Sequence, residues 1–175
     1  IDVLLISGDT YLDTSYNGSA LVGKWLVEHG FKVGIIAQPE VDVPDDITRL
    51  GEPNLFFAIS GGCVDSMVAN YTATKKRRQQ DDFTPGGENN KRPDRAVLVY
   101  SNMIRRFFKG TTKKIVISGI ESSLRRITHY DYWTNKLRKP ILFDAKADIL
   151  SYGMGEMSML QRMEKIGKIS EGFVT

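Results

Sequence analysis

The sequence predicts a three-layer α/β domain on a mostly parallel sheet, of the flavodoxin-like or Rossmann-like kind. Three observations carry that prediction. Short apolar runs alternate along the whole chain with stretches whose apolar residues recur every three or four positions. The runs are continuous rather than alternating in polarity, as in strands buried on both faces. Three of them close on the same dipeptide, Ser7-Gly8, Ser60-Gly61 and Ser118-Gly119.

Taken in order, Asp2 to Ile6 is the first strand, followed by the polar segment DTYLDTSYNG from Asp9 to Gly18. Ser19 suits the N-cap of a helix whose stripe is Leu21, Val22, Trp25 and Leu26, and Gly30 can stop it. Lys32 to Ala37 is the second strand, closed by Gln38-Pro39. Asp45 to Leu50 forms a short helix that Gly51-Glu52-Pro53 breaks, and Leu55 to Ile59 the third strand. Val64, Met67, Val68 and Tyr71 then recur at helical spacing. From Thr72 to Arg92 no period survives; a run of that length is either a functional loop or a poorly ordered one. Asp94 stands where an N-cap would for the clearest amphipathic helix, with Ala96, Val97, Tyr100, Met103, Ile104, Phe107 and Phe108 on one face and Gly110 as its stop. Lys114 to Ser118 is the fourth strand. Pro140 to Phe143 is expected to pair at an edge, and Ala147 to Tyr152 to form the fifth strand. Glu156 to Ile166 makes a last helix with Met157, Leu160 and Met163 inward.

Composition narrows the class. At 175 residues the chain is one domain, or one domain plus a tail, long enough to bury a sound core. A hydrophobic share of 41% and a charged share of 26% are those of a globular protein. Neither a membrane-length apolar run nor a signal peptide is visible, so a cytoplasmic location without membrane contact is expected. The net charge of +3 permits anionic ligands without demanding nucleic acid. The single cysteine, Cys63, forms neither an internal disulfide nor a cysteine-ligated cluster within these residues. The chain starts at Ile1, without a methionine, and enters a strand at once, as a piece of a longer protein would.

In open parallel sheets, ligands bind beyond the carboxyl ends of the strands, where glycine lets backbone approach them. Gly8, Gly61 and Gly119 occupy those positions, and Asp9, Asp13, Asp65, Glu121, Ser122 and Arg125 would converge on one crevice. Sharper motifs are missing. There is no GxxxxGK[ST] loop, no GxGxxG after the first strand and no GxSxG elbow. His29 falls near a helix end; His129, between Ile127-Thr128 and Tyr130-Asp131, is the one histidine placed for catalysis, although a structural hydrogen-bonding role suits it better. Lys75 to Arg78 reads as a solvated run, whereas Arg125-Arg126 after a strand end could clamp a phosphate or carboxylate, with Tyr130, Tyr132 and Trp133 near enough to stack on a base.

Longer phrases carry a resemblance. GDTYLDTSYNG, YTATKKRR, TPGGE, KRPDRA, GIESSLRRITHYDYW and ADILSYGMGE are similar to the N-terminal region of YgiQ-type radical SAM proteins, over essentially the whole chain. That resemblance implies an N-terminal accessory domain, residues 1–175, with a fold like that of cobalamin-binding domains, ahead of a radical SAM barrel downstream of residue 175. The barrel of the parent chain would hold a [4Fe-4S] cluster on CxxxCxxC and cleave S-adenosylmethionine, in a reaction not assigned. Neither that motif nor the DxHxxG pattern of a lower cobalamin ligand is present here, so no catalytic or metal-ligating residue is assigned in this chain. On the analogy, the crevice end faces the barrel of the same chain, and Gly8, Asp9, Glu121, Arg125, His129 and Tyr130 cover or receive the substrate. The alternative is an RNA-binding module that delivers a nucleic acid to the barrel.

Overall fold

The computed structural model describes residues 1–10, 18–161 and 165. Five parallel strands form the main sheet: β1 (Val3–Ser7), β2 (Val33–Ala37), β3 (Phe56–Ser60), β4 (Lys114–Ser118) and the two-residue β7 (Ile149–Leu150). Their spatial order is β2-β1-β3-β4-β7, the doubly wound arrangement of flavodoxin-like sheets, in which the winding reverses between β1 and β3. The three Ser-Gly ends are in register, with Ser7 paired to Ser60 and Ser60 to Ser118.

Alternate residues of each strand feed two cores. Leu4, Ile6, Phe57, Ile59, Ile115 and Ile117 point to one face, packed by helices α2 (Pro44–Thr48) and α4 (Ala96–Phe107). Val3, Leu5, Phe56, Ala58 and Val116 point to the other, where Leu26 of α1 (Gly18–Glu28) and Met159 cover them. All of β1 is buried, which is why its sequence runs apolar without alternation. The expected three layers are present.

Four local expectations change. Pro140 to Phe143 does not pair as a strand. Pro140, with φ −51°, opens the short helix α6 (Ile141–Asp144), and Ile141 buries its side chain in the core instead of lying along an edge. Ser19 lies in the first turn of α1, which starts at Gly18, rather than at its cap. Asp94 is not the cap of α4. Arg95 holds that position, and the Asp94 carboxylate accepts hydrogen bonds from Asn70 Nδ2 (2.8 Å) and the Tyr71 hydroxyl (2.7 Å). In the last helical stretch, 156–161, Met159 and Leu160 face inward while Met157 is exposed; Met163 lies outside the described residues.

The aperiodic run 72–92 has a definite path. Bridges pair Tyr71 with Arg77 and Gln80 with Glu88, a 3-10 turn spans Pro85–Gly87, and Arg78 donates to the carbonyls of Val68 in α3 (Ser66–Asn70) and of Tyr71 just after it. After β4 the chain forms α5 (Gly119–Leu124) and a two-stranded ribbon, β5 (His129–Asp131) against β6 (Lys136–Arg138).

Candidate functional site

At the carboxyl end of the sheet, the repeated Ser-Gly dipeptide first serves the backbone. Ser7 Oγ accepts the amide of Asp9 (3.1 Å) and Ser60 Oγ that of Gly62 (3.2 Å), so each hydroxyl closes the turn that leaves its strand. The glycines allow the turns to interlock. A Cβ on Gly8 would overlap the carbonyl of Gly61, and one on Gly61 would lie 2.6 Å from Glu121 Oε2.

Arg92, at the end of the 72–92 run, fills the crevice so formed. Its guanidinium is fully buried between two carboxylates: Nη1 sits 2.6 Å from Asp9 Oδ1, and Nε and Nη2 each donate to Asp81 at 3.3 Å. Nη1 also donates to the Gly61 carbonyl (2.9 Å), and the second oxygen of Asp9 accepts the Cys63 amide (2.6 Å). Burial works against the charge on Arg92, but Asp9 and Asp81 outweigh it and the guanidinium is held more basic than usual. The network extends outward: Thr84 donates to Asp81 (2.9 Å), and Gln38 Nε2 donates to Thr84 Oγ1 (2.8 Å) and to the Gly8 carbonyl (2.9 Å). Together these groups join the ends of β1, β2 and β3 to the 72–92 run.

Beside it lies a second buried polar group. Glu121 has no solvent exposure, and its carboxylate accepts the amides of Ser66 (3.1 Å) and Val97 (3.3 Å), at the N-termini of α3 and α4. Ser66 Oγ takes the neighbouring Ala96 amide (3.1 Å), so long-range side chains cap α4 where Asp94 was expected to. Burial raises the Glu121 carboxyl above its ordinary value, against the opposing hydrogen bond from Ser66. Arg125 pairs with Asp65, the N-cap of α3. Burial, then Asp9, pushes the Cys63 thiol up to about 12, which disfavours the thiolate form.

The structure therefore gathers Gly8, Asp9, Gly61, Gly119, Glu121 and Arg125, with Asp65 and Ser122, at one end of the sheet. It turns the carboxylates inward, onto Arg92 and helix amides, rather than toward an open crevice. Asp13 lies outside the described residues. His129 sits next to Arg125, facing a void of about 10 Å³ shared with Arg95, Asp131, Arg138 and Asp144, room for one water at most. Its Nδ1 is 3.2 Å from the Ile127 carbonyl. Tyr130 stands apart on the ribbon, exposed and donating to Asn135 Oδ1 (2.6 Å). An open groove of about 720 Å³ flanks the network, between Val64, Val68 and Ala69 on one side and residues 78–83 on the other.

The basic and aromatic residues are largely committed within the chain. Lys75 Nζ lies 4.6 Å from the ring centre of Tyr132, Trp133 packs on Tyr71 at 4.7 Å, Arg77 donates to the Asn89 carbonyl (3.2 Å), and Arg126 donates to that of Ser123 (2.7 Å). Arg92 and Asp81 escaped the sequence reading because their partners are remote. One local signal was available: Asp81-Asp82-Phe83-Thr84 closes an Asx turn, in which Asp81 Oδ1 accepts the Phe83 amide (3.0 Å).

A family model described as "Radical SAM N-terminal" matches residues 1–172. The chain belongs to that family. Its relatives include the UPF0313 protein of Fusobacterium nucleatum, 98% identical over 161 residues, which are 92% of this chain and 28% of that protein. The UPF0313 protein of Thermotoga neapolitana is 58% identical over 161 residues, with the same two shares. That of Methanocaldococcus jannaschii is 54% identical over 160 residues, 91% of this chain and 26% of that protein. This radical SAM N-terminal domain thus spans little more than a quarter of the relatives it matches. Among solved structures, the radical S-adenosylmethionine methyltransferase TsrM of Kitasatospora setae, with tryptophan substrate and a SAM analogue bound, matches at a TM-score of 0.56 and 16% identity. It covers 97% of this chain and 26% of that one, a likeness of fold.

The residues present do not fit a cobalamin at the β1/β3 switch point. That space holds Arg92 and its carboxylates, and even a Cβ on Gly62 would lie 2.6 Å from Arg92 Nη1. Neither histidine is there: His29 packs on Trp25 at the end of α1, and His129 opens strand β5 of the ribbon. Among the described residues, no group of three or more His, Cys, Asp or Glu could hold a metal ion. No helix among them is long and apolar enough to cross a membrane.

Proposed function

We propose that this chain is the accessory, substrate-capping domain of a radical SAM enzyme, whose cluster and S-adenosylmethionine are held by the remainder of the full-length protein. The observation that carries the reading is the family match over residues 1–172 in a chain whose relatives are more than three times as long. The chemistry of the site agrees with it. With one cysteine, whose thiol is pushed up to about 12, the domain has no ligand set for a [4Fe-4S] cluster. The polar groups at its sheet end hold each other and two helix amides, which suits a rigid support better than a reacting centre. Such a domain acts by binding to the catalytic part, shielding the reaction from water and contacting the substrate.

The test is the iron and acid-labile sulfide content of the full-length protein prepared without oxygen, with its cleavage of S-adenosylmethionine under reduction. About four of each per chain are expected. The Cys63→Ser variant should retain both metal content and cleavage. No iron in the full-length protein, or loss of iron on Cys63→Ser, would overturn the reading.

A further inference from the structure

The exposed apolar side chains of this domain are unevenly spread. Of the seventeen large hydrophobic residues exposed among the described residues, ten lie between 120 and 157, and exposed apolar groups concentrated in one region mark an interaction site where scattered ones do not. Ile120, Leu124 and Ile127 recur at spacings of four and three, one face of α5 continued by the turn after it, and each is about half exposed or more. Two contacts lay the segment after β7 alongside that face. The Arg126 guanidinium stands 5.6 Å over the Tyr152 ring, and the Gly153 amide donates to Ser123 Oγ (3.4 Å). Tyr152, Met154 and Met157 thereby extend the ridge, and Met154 is 82% exposed. On the neighbouring ribbon, Tyr130 and Leu137 are cross-strand partners that both face solvent.

We infer that the face formed by α5 and residues 152–157 is where the remainder of the full-length protein docks. The occupant follows from the chain's own layout. The relatives carry more than twice as much chain outside the matched region as within it. Residues 152–157 belong to the ridge and run into the helical stretch 156–161, so the described chain reaches residue 161 beside that surface. Unbranched methionine side chains such as those of Met154 and Met157 adapt to a partner surface. Among the residues lining the groove beside Arg92, Val68 alone is a large exposed hydrophobic, so the end of the sheet approaches the rest of the protein through α5 rather than through its β1/β3 switch point. This inference rests on the accessory-domain reading and specifies its contact surface.

The experiment places a photo-reactive benzoylphenylalanine in the full-length protein, at Leu124, at Leu21 on α1 as an equally apolar exposed control, and at Asp82 beside the groove. After irradiation the cross-linked peptides are mapped. Position 124 should give intramolecular products to residues beyond 175, at least fivefold above position 21. Products to a second copy, or yields from 124 no higher than from 21, overturn the assignment. In that event the position 82 probe separates the two ideas: products from 82 to residues beyond 175 leave the accessory domain standing with another contact face, whereas none from either position removes both.

Discussion

Replacing Arg92 by methionine should be among the costliest single changes in this domain. Methionine fills much of the same volume without charge, so the change tests the ion pairs more than a cavity. It leaves Asp9 and Asp81, both under a tenth exposed, without their cation, and the Gly61 carbonyl without a donor. Removing one member of a buried pair costs roughly 3–5 kcal/mol, and an unsatisfied carbonyl about 1–3 kcal/mol more when counted alone. These overlap, so a total of about 4 kcal/mol is expected. For a chain of this size each kcal/mol lowers Tm by about 2–4 °C, giving a drop of roughly 8–16 °C. Urea unfolding of wild type, Arg92→Met, Asp81→Asn and the double variant closes a cycle whose coupling should be about 1–3 kcal/mol. Arg106→Met is the control: its partner Asp42 is well exposed and the pair should contribute under about 1 kcal/mol. An Arg92→Met cost no larger than that control, or a coupling near zero, would refute the claim that this triad holds the crevice closed.

Two further substitutions probe the same end of the sheet. Glu121 has a folded-state pKa above its ordinary 4.5; the native state then holds the proton more tightly, and the group's contribution to stability falls as pH rises from 4.5 through the folded value. Glu121→Gln should therefore gain stability relative to wild type as pH rises over that window, measured as the difference between two denaturation series. A difference flat in pH would show that burial does not dominate this carboxyl. Gly62, at φ +110°, would drive a Cβ into Asp9 and Arg92, whereas Gly110, at φ +81°, has open space around it. Gly110→Ala should cost about 1–2 kcal/mol for the backbone alone. Gly62→Ala should cost at least about 2 kcal/mol more, from displacing a closely packed ion pair. Equal costs in thermal unfolding would mean that the network yields freely.

What could be read from the sequence follows from how far apart the cooperating residues lie. Strand positions and the parallel sheet were legible because burial on both faces writes itself into five or six consecutive residues, as in Val3–Ser7. Two of the Ser-Gly ends were legible because the signal is local, the Ser7 and Ser60 hydroxyls each serving an amide two residues on, whereas the Ser118 hydroxyl donates to the Ile59 carbonyl on the neighbouring strand. Pro140 misled because it precedes three apolar residues that would suit an edge strand equally; only the core contact of Ile141 decides for a helical turn. Asp94 misled because a cap is a competition. Asn70 and Tyr71 claim its oxygens, while Ser66 and Glu121 reach the amides of α4 from 30 and 24 residues away.

The site divides along the same line. Sequence placed Gly8, Asp9, Gly61, Glu121 and Arg125 at one sheet end, but charge alone does not say whether a carboxylate faces solvent or a buried guanidinium 83 positions away. Arg92 decides it, and its surroundings in sequence are those of a polar loop. A switch point filled by the chain's own ion triad exposes little for a ligand to recognise. Displacing Arg92 would uncover two buried carboxylates at a cost of the order worked out for Arg92→Met, which few small ligands could offset. The apolar ridge on α5 has no such cost, because its side chains are already in water and gain on being covered. The energetics thus assign rigidity to the sheet end and association to the helix beside it. On the docking inferred for α5, recognition of the rest of the protein is carried by residues that no catalytic motif would have marked.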